Sequence, residues 1–191
     1  TVTENGLITN GGSPPAGEVE VIGGGTLVLG NALNSYSGGT TVIEGSTVSV
    51  AADGDLGAAA GGLTLGDATR AGTLATTGSF ISGRTVTLEE GGGGVDTAGG
   101  VTTELSGDVT GGGALIKTGA GTLILSGSNS YGGDTNVNAG TLSISADANL
   151  GNGGTVNLAE GTTLSFTAGG TYSHDVTVAG DPTFNTNGNT V

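Results

Sequence analysis

The sequence predicts an all-β solenoid, and three observations carry that expectation. The first is an internal repeat: Gly25-Thr26-Leu27-Val28-Leu29 returns 96 positions later as Gly121-Thr122-Leu123-Ile124-Leu125, and self-similarity at a long fixed period marks stacked repeat architectures. The second is a rhythm of short alternating runs broken by Gly, Asn and Asp, as strands and turns require. The third is composition. Gly accounts for 43 of 191 residues, hydrophobic residues for 34% and aromatics for only 3%. So few large side chains cannot fill a thick globular core, but a thin one stacked coil upon coil needs only Val, Leu and Ile inside and Gly at the corners.

The elements follow in order. In the first copy, strands are expected at Thr26–Leu29, Thr40–Ile43, Thr47–Val50, Leu63–Leu65, Gly72–Ala75 and Thr85–Leu88. The second copy offers Thr122–Leu125, Thr135–Val137, Thr141–Ile144, Thr155–Leu158, Thr163–Phe166 and Asp175–Val178, with Thr102–Leu105 and Ala114–Lys117 between. Apolar residues two apart (Leu27/Leu29, Val48/Val50, Leu142/Ile144) place one face inside and leave Thr and Ser facing out. The Pro pair in Ser13-Pro14-Pro15-Ala16-Gly17 belongs on a loop outside the ladder.

Further correspondences set the period. Val19 aligns with Leu115, Val86-Thr87-Leu88 with Val176-Thr177-Val178, and Asp53-Gly54-Asp55-Leu56-Gly57 with Asp147-Ala148-Asn149-Leu150-Gly151. Two modules of about 95 residues, near 2–100 and 101–191, are expected, each making about four coils of ~20–24 residues. Further repeats are expected to flank this stretch, because bare ends would expose unpaired strand edges.

Charge narrows the partners. Three basic residues (Arg70, Arg84, Lys117) stand against 17 acidic ones, for a net charge of −14. That excludes a nucleic-acid surface, which demands clustered Lys and Arg, and disfavours anionic membranes; the acidity serves solubility. With no Cys there is no disulfide framework and no thiolate metal site. No apolar run reaches the ~18–20 residues that span a bilayer, and Thr1-Val2-Thr3-Glu4-Asn5 lacks the start of a signal peptide.

One run is specific enough to suggest kinship. Gly119-Ala120-Gly121-Thr122-Leu123-Ile124-Leu125-Ser126-Gly127-Ser128-Asn129-Ser130-Tyr131-Gly132-Gly133-Asp134-Thr135, continuing through Val137-Asn138-Ala139-Gly140-Thr141-Leu142, resembles the strand repeat of autotransporter passengers. Gly25 to Val50 matches with departures: Asn31-Ala32-Leu33-Asn34-Ser35 is one residue longer, and Val21-Ile22 replaces Lys117-Thr118. The resemblance implies a right-handed parallel β-helix, secreted to the surface of a Gram-negative bacterium, whose repeats are the scaffold of an adhesin or self-associating protein. Expected partners are flanking repeats of the same protein, other copies of the chain, or a host or matrix surface. An extracellular fibre subunit and the non-catalytic stalk of an exported enzyme are the alternatives.

A search for chemistry leads to no catalytic, cofactor-binding or metal-ligating residue, and no enzyme activity is expected. The sole histidine, His174, stands in Tyr172-Ser173-His174-Asp175, but adjacent strand residues point to opposite faces and triads assemble in space. Its correspondence with Arg84 suggests a solvated edge position. Glu89-Glu90, Asp53/Asp55 and Asp147 could be carboxylate pairs for glycoside hydrolysis, yet they fall in Gly-rich turns where Asp shapes backbone, and few aromatics are available as sugar platforms. Gly91-Gly92-Gly93-Gly94-Val95-Asp96-Thr97-Ala98-Gly99 fits a calcium-binding β-roll nonapeptide once, whereas that motif works in tandem. Gly111 to Thr118 misses the phosphate-loop pattern, because Ile116 stands where glycine must precede Lys117 and no helix is expected after it. Tyr36 and Tyr131 recur at equivalent places and are expected to cover the end of the thin core.

Overall fold

The computed structural model of the chain describes residues 1–11 and 16–191, so the Pro14-Pro15 insertion lies outside the described residues. Three parallel sheets of nine, six and five strands run side by side, each strand pairing with its counterpart one coil earlier or later. The β-solenoid has about nine turns. Along the nine-stranded sheet, Val2, Leu27, Val48, Leu74, Val95, Lys117, Val137, Leu158 and Val178 stand in register. At ~4.8 Å per step the stack is about 40 Å long.

Alternation explains which side faces in. Val48 and Val50 are buried, as are Leu123 and Leu125, and Leu142 and Ile144. The rule that Thr and Ser face outward fails at several places. Thr40, Thr76, Thr97, Thr103, Thr135, Ser143 and Ser165 are all buried. Some are satisfied from within, as where the Thr103 hydroxyl donates to Thr76 Oγ1 at 2.7 Å. A thin core tolerates them because a turn or an adjacent coil is usually within hydrogen-bonding reach, although the buried Thr97 hydroxyl has no partner among the described residues.

Most expected strands form within a residue of their predicted ends. Six more strands lie at Val2–Glu4, Val19–Val21, Phe80–Ser82, Gly93–Thr97, Val109–Gly111 and Thr183–Asn185. These are short or glycine-rich and carry little periodicity of their own; the coils above and below hold them in ladder geometry. Two single 3-10 turns, Asp53–Leu56 and Asp147–Leu150, occupy corresponding positions in the two copies.

The copies are not superposed along the rod. Thr26–Leu29 lies in the nine-stranded sheet, whereas its equivalent Thr122–Leu125 lies in the six-stranded one; Thr40–Val42 lies in the five-stranded sheet and Thr135–Val137 in the nine-stranded one. Both pairs shift by one sheet in the same sense. Four turns of the nine-stranded ladder take 90 residues, from Leu27 to Lys117, so a 96-residue offset overshoots by one strand. The second copy is therefore rotated by one face about the rod axis, its offset completing four coils and one strand more.

Candidate functional site

The site forms where each copy replaces a strand by loops. In the first copy residues 51–62 cross the third face, with the 3-10 turn packing against Phe80–Ser82. In the second copy residues 126–134 stack on Val109–Gly111, where Ser130 N donates to Val109 O at 2.8 Å and Gly132 N to Gly111 O at 2.9 Å. Residues 145–155 then stack on that loop, Asn152 N donating to Tyr131 O at 3.0 Å.

Side chains replace the missing ladder bonds. Asp55 Oδ2 accepts from the backbone N–H groups of Ala51 and Ala52, each at 2.9 Å, and Asn149 Oδ1 does the same for Ser145 and Ala146 at 2.9 and 2.8 Å. Buried Asn34 and Asn129 donate to Asp55 O and Asn149 O at 2.9 and 2.6 Å. Tyr36 and Tyr131 are buried, as expected, and their hydroxyls meet Thr40 and Thr135 at 2.8 and 2.6 Å. Burial pushes the Tyr131 phenol up to about 12, against the hydrogen bond from Thr135. Gly57 and Gly151 lie directly over these rings at φ near +80°, where a methyl group would come within 2.5 Å of the tyrosine carbonyl and 3.0 Å of the ring.

Arg84 and His174 do not occupy the solvated edge expected of them. Arg84 is 3% exposed and rivets the first loop from the following coil. Its Nε donates to Asp53 Oδ1 at 2.9 Å and its Nη2 to Oδ2 at 3.2 Å. The two terminal nitrogens also donate to the carbonyls of Asp53, Leu56, Gly57, Ala58 and Gly61 at 2.7–3.2 Å. A planar guanidinium fork can serve so many acceptors where an ammonium could not.

At the equivalent place His174 Nδ1 meets Asp147 Oδ1 at 2.8 Å, and Ser173 Oγ donates to Asp147 Oδ2 at 2.6 Å. The Ser-His-Asp cluster is thus real in space, but its acid is Asp147, from the preceding coil, rather than Asp175. Serine and histidine both bind the carboxylate and not each other, so the hydrogen-bond chain of a triad does not form. Burial raises the Asp147 carboxyl, but the hydrogen bonds from His174 and Ser173 and the His174 charge outweigh it and hold it at about 2. An open cleft of about 420 Å³ lies here, lined by Asp147, residues 151–155, Ser173, His174 and Asp175.

The other candidates separate. Asp53 is committed to Arg84 and Asp55 to backbone, while Glu89 and Glu90 sit on an exposed turn. The nonapeptide at 91–99 supplies strand Gly93–Thr97, with Val95 in the core. Lys117, in the failed phosphate loop, lies within strand Leu115–Thr118 and interrupts the aliphatic column with 0% exposure. Its Nζ donates to the carbonyls of Thr118, Gly119 and Ala139, and burial lowers it to about 8 against the charge of Asp96. Among the described residues no three metal-ligating side chains come together.

The Arg84–Asp53 pair was not anticipated from the sequence. The available signal was an acid recurring at Asp53 and Asp147, with a cation-capable side chain recurring at Arg84 and His174.

Comparison with known proteins places this geometry. The passenger-associated-transport-repeat family model matches residues 20–50 and 115–144, the two segments that lead into the loop crossings. Over 142 residues, 71% of this chain, the sequence is 39% identical to the adhesin BmaC autotransporter of Brucella suis biovar 1 (strain 1330), of which it spans only 4%. No solved structure matches. The loop crossings recur where the family repeat recurs, within one uninterrupted β-solenoid: this chain carries two passenger-associated-transport repeats, as an autotransporter passenger exposed at a Gram-negative cell surface does.

Proposed function

We propose that this coil stack is a stalk of a surface adhesin, holding adhesive parts of a longer protein away from the cell and adding weak contacts of its own. The observation that carries this reading is the unbroken register of the nine-stranded ladder, from Val2 to Val178. Similarity to an adhesin favours it over a fibre subunit or the stalk of an exported enzyme, and its role is structural rather than catalytic.

The two copies act as modules of about 95 residues within one rod. Val176, Val178 and Phe184 stand exposed at positions whose equivalents Val86, Leu88 and Val95 are covered by a following coil. They are the surface on which another coil of the same kind would stack. Because equivalent surfaces turn by one face per module, contacts to other copies or to a matrix radiate around the rod instead of lining one side. Many weak contacts then sum to avidity.

The test is deletion of one 96-residue module from the cell-displayed protein. A distal epitope should move inward by about 20 Å, four and a third strand spacings, with adhesion through distal parts retained but dependent on reach. Unchanged epitope height would overturn the stalk reading.

A further inference from the structure

The two loop crossings share a backbone and differ in what fills them. Ala52 and Ala146 have φ, ψ of −147°, 155° and −152°, 156°, and Gly57 and Gly151 have 81°, −158° and 82°, −158°. In the first copy the cradle enclosed by this backbone is filled by the Arg84 guanidinium, bound to Asp53 and to the carbonyls of Asp53, Leu56, Gly57, Ala58 and Gly61. In the second copy His174 stands in place of arginine, and an imidazole is shorter. It reaches Asp147 but not the far wall. Among the described residues no side chain donates to the carbonyls of Leu150, Gly151, Asn152 or Gly154, the counterparts of the Arg84 acceptors.

A second observation points to a ligand. His174 is nine-tenths buried, and its Nε2 has no hydrogen-bond partner. In the neutral ring, with Nδ1–H directed at Asp147, Nε2 carries a lone pair and accepts. Acceptors on the wall, a carboxylate at Asp147, another at Asp175 and a lone pair at His174 together call for a cation rich in N–H donors. The chain has none to spare. Arg84 and Lys117 are engaged, and Arg70 lies on the Asp67 turn of an earlier coil.

We propose that the cleft lined by Asp147, residues 151–155, His174 and Asp175 binds a guanidinium group supplied from outside the coil, on the carbonyls that correspond to the Arg84 acceptors of the first copy. The flat fork suits a loop of carbonyls better than an ammonium does, and a cleft of about 420 Å³ admits it with part of its alkyl stem. The stalk reading does not depend on this site.

The single histidine makes the test direct, because the His174 imidazole supplies the only histidine resonances in an NMR spectrum. Titration with N-acetylarginine amide should move them, saturating at roughly millimolar concentration. The lysine and citrulline analogues should move them much less. Asp175→Asn, on an exposed side chain, should weaken binding about threefold, as for loss of one exposed charge partner. His174→Arg should abolish binding by filling the cleft from within, followed by line broadening of the Gly153 and Gly154 amides in place of the histidine signal. Comparing methylguanidine with an acetylated Gly-Arg-Gly amide identifies the source: tighter binding of the peptide indicates a protein side chain, and equal binding a small guanidine. No imidazole response to the arginine probe, an equal response to citrulline, or full binding by His174→Arg would each overturn the proposal. Unchanged circular dichroism of each variant guards against misfolding, and Asp175→Asn decides the matter if His174→Arg does not fold.

Discussion

His174 meets Asp147 at 2.8 Å across 27 positions and one coil, at the place where Arg84 meets Asp53 at 2.9 Å across 31. The two pairs solve one problem, fastening a loop that has left the ladder to the coil that follows. They solve it with unequal strength, and the inequality is measurable.

Arg84→Ala should cost about 3–5 kcal/mol, because it strands a half-buried carboxylate and five carbonyl groups. His174→Ala should cost about 1 kcal/mol, the net worth of an ordinary hydrogen bond. Thermal or denaturant unfolding of the two variants checks this, and equal losses would refute the inequality.

Lys117→Met keeps the volume of the aliphatic column and removes the donor. The carbonyls of Thr118, Gly119 and Ala139 then lose their shared partner, at a cost of about 2–3 kcal/mol. Hydrogen exchange should rise first in the turn around Gly119 and Gly140. A variant more stable than the parent would show that the ammonium is tolerated there and not needed.

Gly151→Ala should destabilise by about 1–3 kcal/mol through backbone strain alone, with the Tyr131 ring adding a steric term. The equivalent change in the first copy, Gly57→Ala, should behave alike, since Tyr36 lies beneath it in the same geometry. Melting temperatures of both variants provide the comparison, and a neutral result at either would contradict the shared construction.

Acid should loosen the second loop in a defined window. The folded Asp147 carboxyl titrates at about 2, below its ordinary 3.8, so its stabilisation is complete above about pH 4 and drains away as pH falls through 2. Asp67 also sits at about 2, held down first by the Thr69 amide and then by Glu44 N–H and the Thr69 hydroxyl. Unfolding curves at about pH 6, 4, 3 and 2 for the parent and Asp147→Asn should converge toward the acid end. Curves that stay parallel would remove Asp147 as a source of acid sensitivity.

Strand positions were legible from sequence because inward residues recur every second position, and the core offers no alternative for Val48 or Leu142. The loop tyrosines were legible too, since Tyr36 and Tyr131 recur beside Gly-Gly in each copy. Arg84 and Lys117 were not. A charged side chain reads as solvated unless its partners are known: those of Arg84 come from another coil, up to 31 residues away, and Lys117 joins the carbonyls of Thr118 and Gly119 to that of Ala139 one coil on. The Ser-His-Asp run could be set aside as a triad from sequence, but its true acid could not be named, because Asp175 is the neighbour in sequence while Asp147 is the neighbour in space.

By itself the sequence determined that this protein stacks: a periodic supply of small aliphatic residues with glycine at the corners has no other way to leave water. Only the tertiary structure decided how the repeat meets the coil. Ninety residues complete four turns while ninety-six separate the copies, and that mismatch of one strand turns each equivalent surface onto the next face. Coil length depends on how loops such as 51–62 and 126–134 close over the core, which is settled by packing between coils and not by the order of residues within one.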